Sequence, residues 1–180
     1  MSGRRRAALV LVVVTLSGCA RWKVARDAEA AVRTYDEAIT VAYRTNDPRG
    51  LDQVAGAAEV RRLIALIDLK RNANLALESR LEDFQVLGVE AASDAGAIVR
   101  TRERWRYWDR PLKPGMPAGS VFVADMWMTW TLGREGGRLK VLEGRTERSE
   151  YIEPKGFRPG SGAREHGPGS RPAVRAKEGT

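Results

Sequence analysis

From Val99 to Tyr107 the chain reads Val-Arg-Thr-Arg-Glu-Arg-Trp-Arg-Tyr, with an arginine at every second position. Residues two apart scatter around a helix but share one face of a strand. The stretch therefore predicts a half-buried strand over 97–108. Val99, Thr101, Glu103, Trp105 and Tyr107 lie on one face, and Arg100, Arg102, Arg104 and Arg106 on the other. Four cations about 6.6 Å apart along a strand need relief from neighbouring carboxylates, with Glu82, Glu143 and Glu147 as the candidates. The face reads either as a solvated, ion-paired surface or as an anion-binding face for lipid head groups or an acidic polymer.

Upstream the period is 3.6. Trp22, Ala25, Ala28, Val32, Tyr35, Ile39, Ala42 and Tyr43 recur at three- and four-residue steps and predict a long amphipathic helix. Asn46-Asp47-Pro48 ends it. Asp47 and Pro48 suit the start of a short second helix carrying Leu51 and Val54. A third helix is expected over 57–77, with Val60, Leu63, Ile64, Ile67 and Leu75 inward. Downstream the period is 2. Strands are expected over 81–89, 97–108, 120–132 and 139–149. Turns fall at Ser93–Gly96 and Gly133–Gly137, and a Pro-rich loop lies between Arg110 and Pro117. Three helices followed by an antiparallel meander make an α+β domain with helices on one face of a curved sheet. From residue 153 onward Gly and Pro recur with almost no aliphatic residues. Such a segment buries too little to offset the entropy of ordering and reads as a disordered basic tail.

The N-terminus carries a separate message. Arg4, Arg5 and Arg6 precede the apolar run Ala7–Leu16, and Ser17-Gly18-Cys19-Ala20 follows. This is the pattern of a secretory signal, and the run is too short to span a bilayer. Leu16-Ser17-Gly18-Cys19 resembles the lipobox of bacterial lipoproteins. The resemblance implies cleavage after Gly18, a diacylglyceryl group on the Cys19 thiol, an acyl chain such as palmitate, and a membrane anchor. Two acyl chains hold firmly where one holds marginally. The expected organisation is a signal peptide over 1–18, a lipidated N-terminus and tether over 19–24, the α+β domain over 25–152 and the tail over 153–180. Ala20 is not the aspartate tied to inner-membrane retention in some Gram-negative bacteria. An outer-membrane, periplasm-facing location is therefore implied if the host has an outer membrane.

The helix order, with Tyr43-Arg-Thr-Asn-Asp47-Pro-Arg-Gly-Leu51, is similar to the NTF2-like (SnoaL-like) superfamily, in which a sheet curls around the first helix to leave a cone-shaped pocket. That resemblance implies a pocket lined here by Tyr35, Trp105, Tyr107 and Trp127, used for catalysis in some members and for binding in others.

Charge and composition narrow the function. The formal charge is +8, but loss of residues 1–18 lowers it to +5. The segment from Glu153 has six Lys/Arg against three Asp/Glu, so residues 19–152 carry only about +2. The basic pI belongs to the two ends, which argues against a nucleic-acid-binding body. The only cysteine is Cys19 and the only histidine is His166, in the tail. A histidine triad, a thiolate metal site and an internal disulfide are thereby excluded from the core, and no cofactor motif is present. Asp125, set mid-strand among Val121, Val123 and Trp127, is the lone candidate for a general base if buried. Only Glu103, Tyr107 and Asp68 offer themselves as partners, and an ion pair with an arginine is the competing reading. Trp127 and Trp130 are three apart and must face opposite ways. The expected function is a membrane-anchored, non-catalytic interaction module of the envelope, with the membrane through Cys19 and other envelope proteins as partners. The alternative is a small-molecule-binding protein or a lyase/isomerase-type enzyme using the pocket with Asp125. The sequence leaves the oligomeric state open, a dimer included.

Overall fold

A computed structural model describes residues 4–93 and 96–155, with the side chains of residues 22–90 and 96–155. Helix α1 spans Arg4–Thr45 and is followed by a single 3-10 turn at Leu51–Gln53 and helix α2 at Ala57–Asn72. Strands β1 (Leu75–Ser93), β2 (Gly96–Pro111), β3 (Phe122–Glu135) and β4 (Arg138–Glu153) then form one antiparallel meander in the order β1-β2-β3-β4. Among the described residues no helix is long and apolar enough to cross a membrane.

The α+β class agrees with the sequence, but the three-helix, NTF2-like cone arrangement does not. There are two α-helices, and the expected second helix is one 3-10 turn. Only a few residues separate Pro48 from Gly56, and Gly50 sits in the left-handed region at φ 86°. That leaves room for a single tight turn and no α-helix. Leu51 and Ala55 are nonetheless buried. The segment is tied to β4 by Gly56 N donating to Val141 O at 2.8 Å and Val141 N donating to Val54 O at 2.9 Å.

The expected third helix also ends early. Asn74, at φ 58°, takes the left-handed conformation just past Asn72 and stops α2. Leu75 and Leu77 then belong to β1, where Leu75 pairs with Pro111 and Leu77 with Asp109. The local sequence Leu-Ala-Leu-Glu-Ser-Arg-Leu-Glu favours a helix by propensity. Pairing along the whole length of β2 overrides that weak preference.

The outward and inward faces of β2 fall as the alternation requires. Ala97, Val99, Thr101, Glu103 and Trp105 are buried, and the arginines are half or fully exposed. Gly136 and Gly137, at φ 60° and 78°, form the two-residue turn that joins β3 to β4. Register shifts at Leu81/Asp83 and Val86/Gly88 in β1, and at Trp127/Met128 and Thr131/Leu132 against β4, are bulges that bend the sheet. Helix α1 packs along the inner face, with Ala28, Val32, Tyr35 and Ala42 buried against Val99, Trp130, Leu132 and Val141. Trp22, expected on that face, is 64% exposed, because the buried stripe begins at Ala28. The Cys19 side chain, residues 94–95 of the first hairpin turn, and residues 156–180 of the expected tail lie outside the described residues.

Candidate functional site

The inner face is more polar than its sequence alternation suggests. Among the described residues five polar or charged side chains are buried: Asp36, Glu59, Thr101, Glu103 and Asp125. The first four lie between the helices and the inner face of the sheet. Alternation along β2 places Thr101, Glu103 and Trp105 side by side, and β3 brings Trp130 across from Val99. Glu103 is fully engaged there. Thr101 Oγ1 donates to its Oε1 at 2.5 Å, Trp130 Nε1 to the same oxygen at 3.0 Å, and Trp105 Nε1 to Oε2 at 2.8 Å. Burial raises the Glu103 carboxyl, and these three donors oppose the rise.

A second knot joins the helices. Tyr35 OH donates to Glu59, and Arg62 grips the same carboxylate with Nη2 on Oε1 at 2.6 Å and Nε on Oε2 at 2.9 Å. Burial, then the charge of Glu59, drives the Tyr35 hydroxyl far above its ordinary range, so the phenol stays protonated and donates. The Tyr35 ring meets Trp130 edge-on, with centroids 5.3 Å apart. Tyr43, two helical turns on, is pushed up to about 12, chiefly by burial.

These groups surround a cavity of about 250 Å³. Helix α1 contributes Tyr35, Asp36, Ile39 and Tyr43. The sheet contributes Glu103, Trp105, Tyr107 and Trp130, with Met126 and Met128 beside them, and Arg62 stands at the rim. The lining is apolar and aromatic, with two carboxyls. One of them differs from every other buried polar group here. Asp36 is 1% exposed, and neither of its carboxylate oxygens has a hydrogen-bond partner. Burial, then the nearby charge of Glu103, pushes its carboxyl well above the usual carboxylate range, against a smaller pull from Arg33.

Of the residues expected to line a pocket, Tyr35, Trp105 and Tyr107 meet at this cavity. Trp127 does not. It sits on the outer face, with the Arg148 guanidinium 3.7 Å and that of Arg102 5.5 Å from its ring centroid. Asp125 is on that outer face too. It accepts from Arg104 Nε at 2.8 Å and from Arg102 Nη2. The Arg104 hydrogen bond, helped by Arg102, holds its carboxyl below the usual range, the reverse of what a buried general base requires. Its suggested partners are elsewhere. Glu103 and Tyr107 face the other way, and Asp68 pairs with Arg71 at 3.0 Å.

The arginine ladder is neutralised within the sheet. Arg100 pairs with Glu90 at 2.7 Å, Arg102 and Arg104 share Asp125, and Arg106 bonds Glu82 at 2.6 Å and Glu153 at 3.3 Å. Of the expected counter-ions only Glu82 makes the contact. Bulges in the β3–β4 pairing carry Glu143 opposite Thr131, and Glu147 turns to Arg145. With each guanidinium supplied by a carboxylate, the anion-binding reading of this face loses its excess charge. Among the described residues no cluster of His, Cys, Asp or Glu is placed to hold a metal ion.

Sequence reasoning passed over Asp36 and Glu59. The signal for Asp36 was present: it lies four residues after Val32 and three before Ile39, on the stripe itself.

Comparisons with known proteins locate the fold alone. No protein-family model matches the chain, and no curated protein matches it. A solved structure of the intermembrane space region of the chloroplast protein ARC6 is similar in fold, with a TM-score of 0.61 and 15% identity, over 67% of this chain and 94% of that one.

Proposed function

We propose that this chain is an exported, lipid-anchored protein of the bacterial envelope whose folded domain works by binding rather than by catalysis. One observation carries the binding reading: helix α1 and the sheet border a cavity lined mostly by apolar and aromatic side chains. Its Glu103 has both oxygens bonded to neighbours, and Asp125, the carboxylate singled out in the sequence, is ion-paired on the opposite face of the sheet.

The anchoring half of the proposal rests on Arg4–Arg6, the apolar run and Leu16-Ser17-Gly18-Cys19. The likeness in fold to a region between two membranes supports work at an envelope. The partners proposed are the membrane, through a lipidated Cys19, and other envelope proteins reached by the domain.

Metabolic labelling with a radioactive fatty acid tests the anchor. Wild-type protein is expected to carry label and to partition with membranes, and Cys19→Ser to lose both. Unlabelled wild-type protein overturns the anchor. Complementation of a deletion strain tests the binding reading. Asp125→Asn is expected to restore the cellular role. Failure to do so by a folded, correctly located variant would show that the Arg102–Asp125–Arg104 cluster of the outer face, rather than the cavity, carries the role.

A further inference from the structure

We propose that the inner cavity is a binding site for a small organic cation with an apolar body, its ammonium group seated against Asp36. The proposal builds on the binding reading of the cavity and is independent of the anchor.

The first argument is the orphaned carboxyl. Buried polar groups are almost always bonded, and leaving a carboxyl without a partner costs more than leaving a neutral group. Asp36 has two unpartnered oxygens at 1% exposure, and it borders the cavity. The group is not simply misplaced core. Three other buried polar side chains on the same face, Glu59, Thr101 and Glu103, are bonded to neighbours. Two free acceptor oxygens side by side match a group with several N–H donors.

The second argument is sign. The cavity carries two carboxyls, Asp36 and Glu103, and its one cation, Arg62, is held by Glu59. A carboxylate or phosphate ligand would face like charge in a poorly solvated space, whereas a cation relieves it. On its far side Asp36 borders a groove with Arg33, Arg44 and Arg80, yet none of them bonds it. Burial opposes the charged form of this carboxyl, and an ammonium beside it favours that form.

The third argument is the rest of the lining. Tyr35, Tyr43, Trp105 and Trp130 line the same space, aromatic surroundings of the kind that attract a cation and pack its hydrocarbon. The volume of about 250 Å³ is the space of roughly eight waters. That suits a single-ring or short alkyl amine.

Calorimetric titration of the full chain with three probes of one shape tests this: 2-phenylethylamine, 2-phenylethanol and 3-phenylpropionate. The amine is expected to bind at least tenfold more tightly than the alcohol, and the acid more weakly than either. Asp36→Asn is expected to bring the amine to within about twofold of the alcohol and to leave the alcohol unchanged. Glu103→Gln, whose oxygens are already occupied, is expected to cost the amine less than threefold. Equal binding of amine and alcohol to wild type, or a preference that survives Asp36→Asn, overturns the cation proposal and leaves the cavity a binding site. No binding of any probe at millimolar concentration, with unchanged tryptophan fluorescence, overturns the cavity reading itself.

Discussion

Replacing Asp36 with leucine should make the protein more stable. Leucine has the branched outline of aspartate with bulkier methyl groups where the oxygens stand, and the cavity that Asp36 borders gives the added volume room. The gain comes from removing a buried carboxyl with no hydrogen-bond partner, worth about 1–3 kcal/mol, and from a few tenths of a kcal/mol, roughly, in helix propensity at a mid-helix site. Against it stands the lost attraction to Arg33. That side chain is 46% exposed and already paired with Glu29, so the loss is under about 1 kcal/mol. The net is about 0.5–3 kcal/mol. At about 4 °C per kcal/mol for a domain of this size, the Tm should rise by roughly 2–12 °C.

The pH dependence gives an independent reading. The folded state holds the Asp36 proton to higher pH than the unfolded chain, whose aspartates titrate near 4. Unfolding between those two values releases a proton, so the Asp36 contribution to stability falls as pH rises from about 4 toward neutral, opposing the rise contributed by lowered carboxylates such as Asp125. Asp36→Leu should flatten that decline. Glu103, raised in the same direction, leaves a smaller slope behind. Urea denaturation followed by tryptophan fluorescence at several pH values measures both quantities. A less stable variant, or one with the wild-type slope, refutes the assignment of Asp36 as a buried, unpartnered acid.

Five other perturbations have expected outcomes. Trp105→Ala should cost about 3 kcal/mol, the low end for a buried aromatic because one side of the ring already borders a cavity. Arg100→Ala, which breaks an exposed pair with Glu90, should cost well under about 1 kcal/mol; chemical denaturation giving the reverse ranking would invert the faces of β2. Gly144→Val should destabilise by about 1–3 kcal/mol, since a Cβ there runs into the Trp130 ring, and a neutral result in thermal melts would mean that this contact is loose. Asp125→Asn should cost about 1–2 kcal/mol at neutral pH. Because the folded Asp125 carboxyl is held below its unfolded value, that difference should disappear as pH falls below about 4, and a difference that persists in acid would refute the ion pairing. Removing residues 156–180 should move the Tm by less than about 4 °C, on the order of 1 kcal/mol; a larger drop would show that the tail docks.

The strands were legible where side chains alternate and hidden where they do not. Arg100 to Arg106 betrays β2 because only a strand puts four cations on one face. The start of β1 at Leu75 was unreadable, since Leu, Ala, Glu and Arg favour a helix and only the partner strand, far along the chain, decides otherwise. The short turn at Leu51 was mistaken for a helix because its apolar spacing is helical. The left-handed Gly50 that limits it leaves no mark in hydrophobic period. At the candidate site the aromatic residues and Glu103 are legible from the alternation along β2, and the helical acids are not. Asp36 is masked by an apolar stripe that reads as ordinary core. Asp125 drew attention because its flanking residues are apolar. The two arginines that neutralise it come from the neighbouring strand and are matched to it only by register.

Helix α1 is unbroken through residues 19–24, where a tether was expected. The first fully buried residue, Ala28, stands nine positions past Cys19 on that helix, about 14 Å away at 1.5 Å per residue. A flexible linker of the same length would reach about as far, roughly 16 Å, so the helix changes attitude rather than reach. Joined to lipid at Cys19, the domain would be mounted on a strut. The helix would hold the cavity mouth at a fixed distance and angle from the point of attachment, where a flexible linker would let both vary.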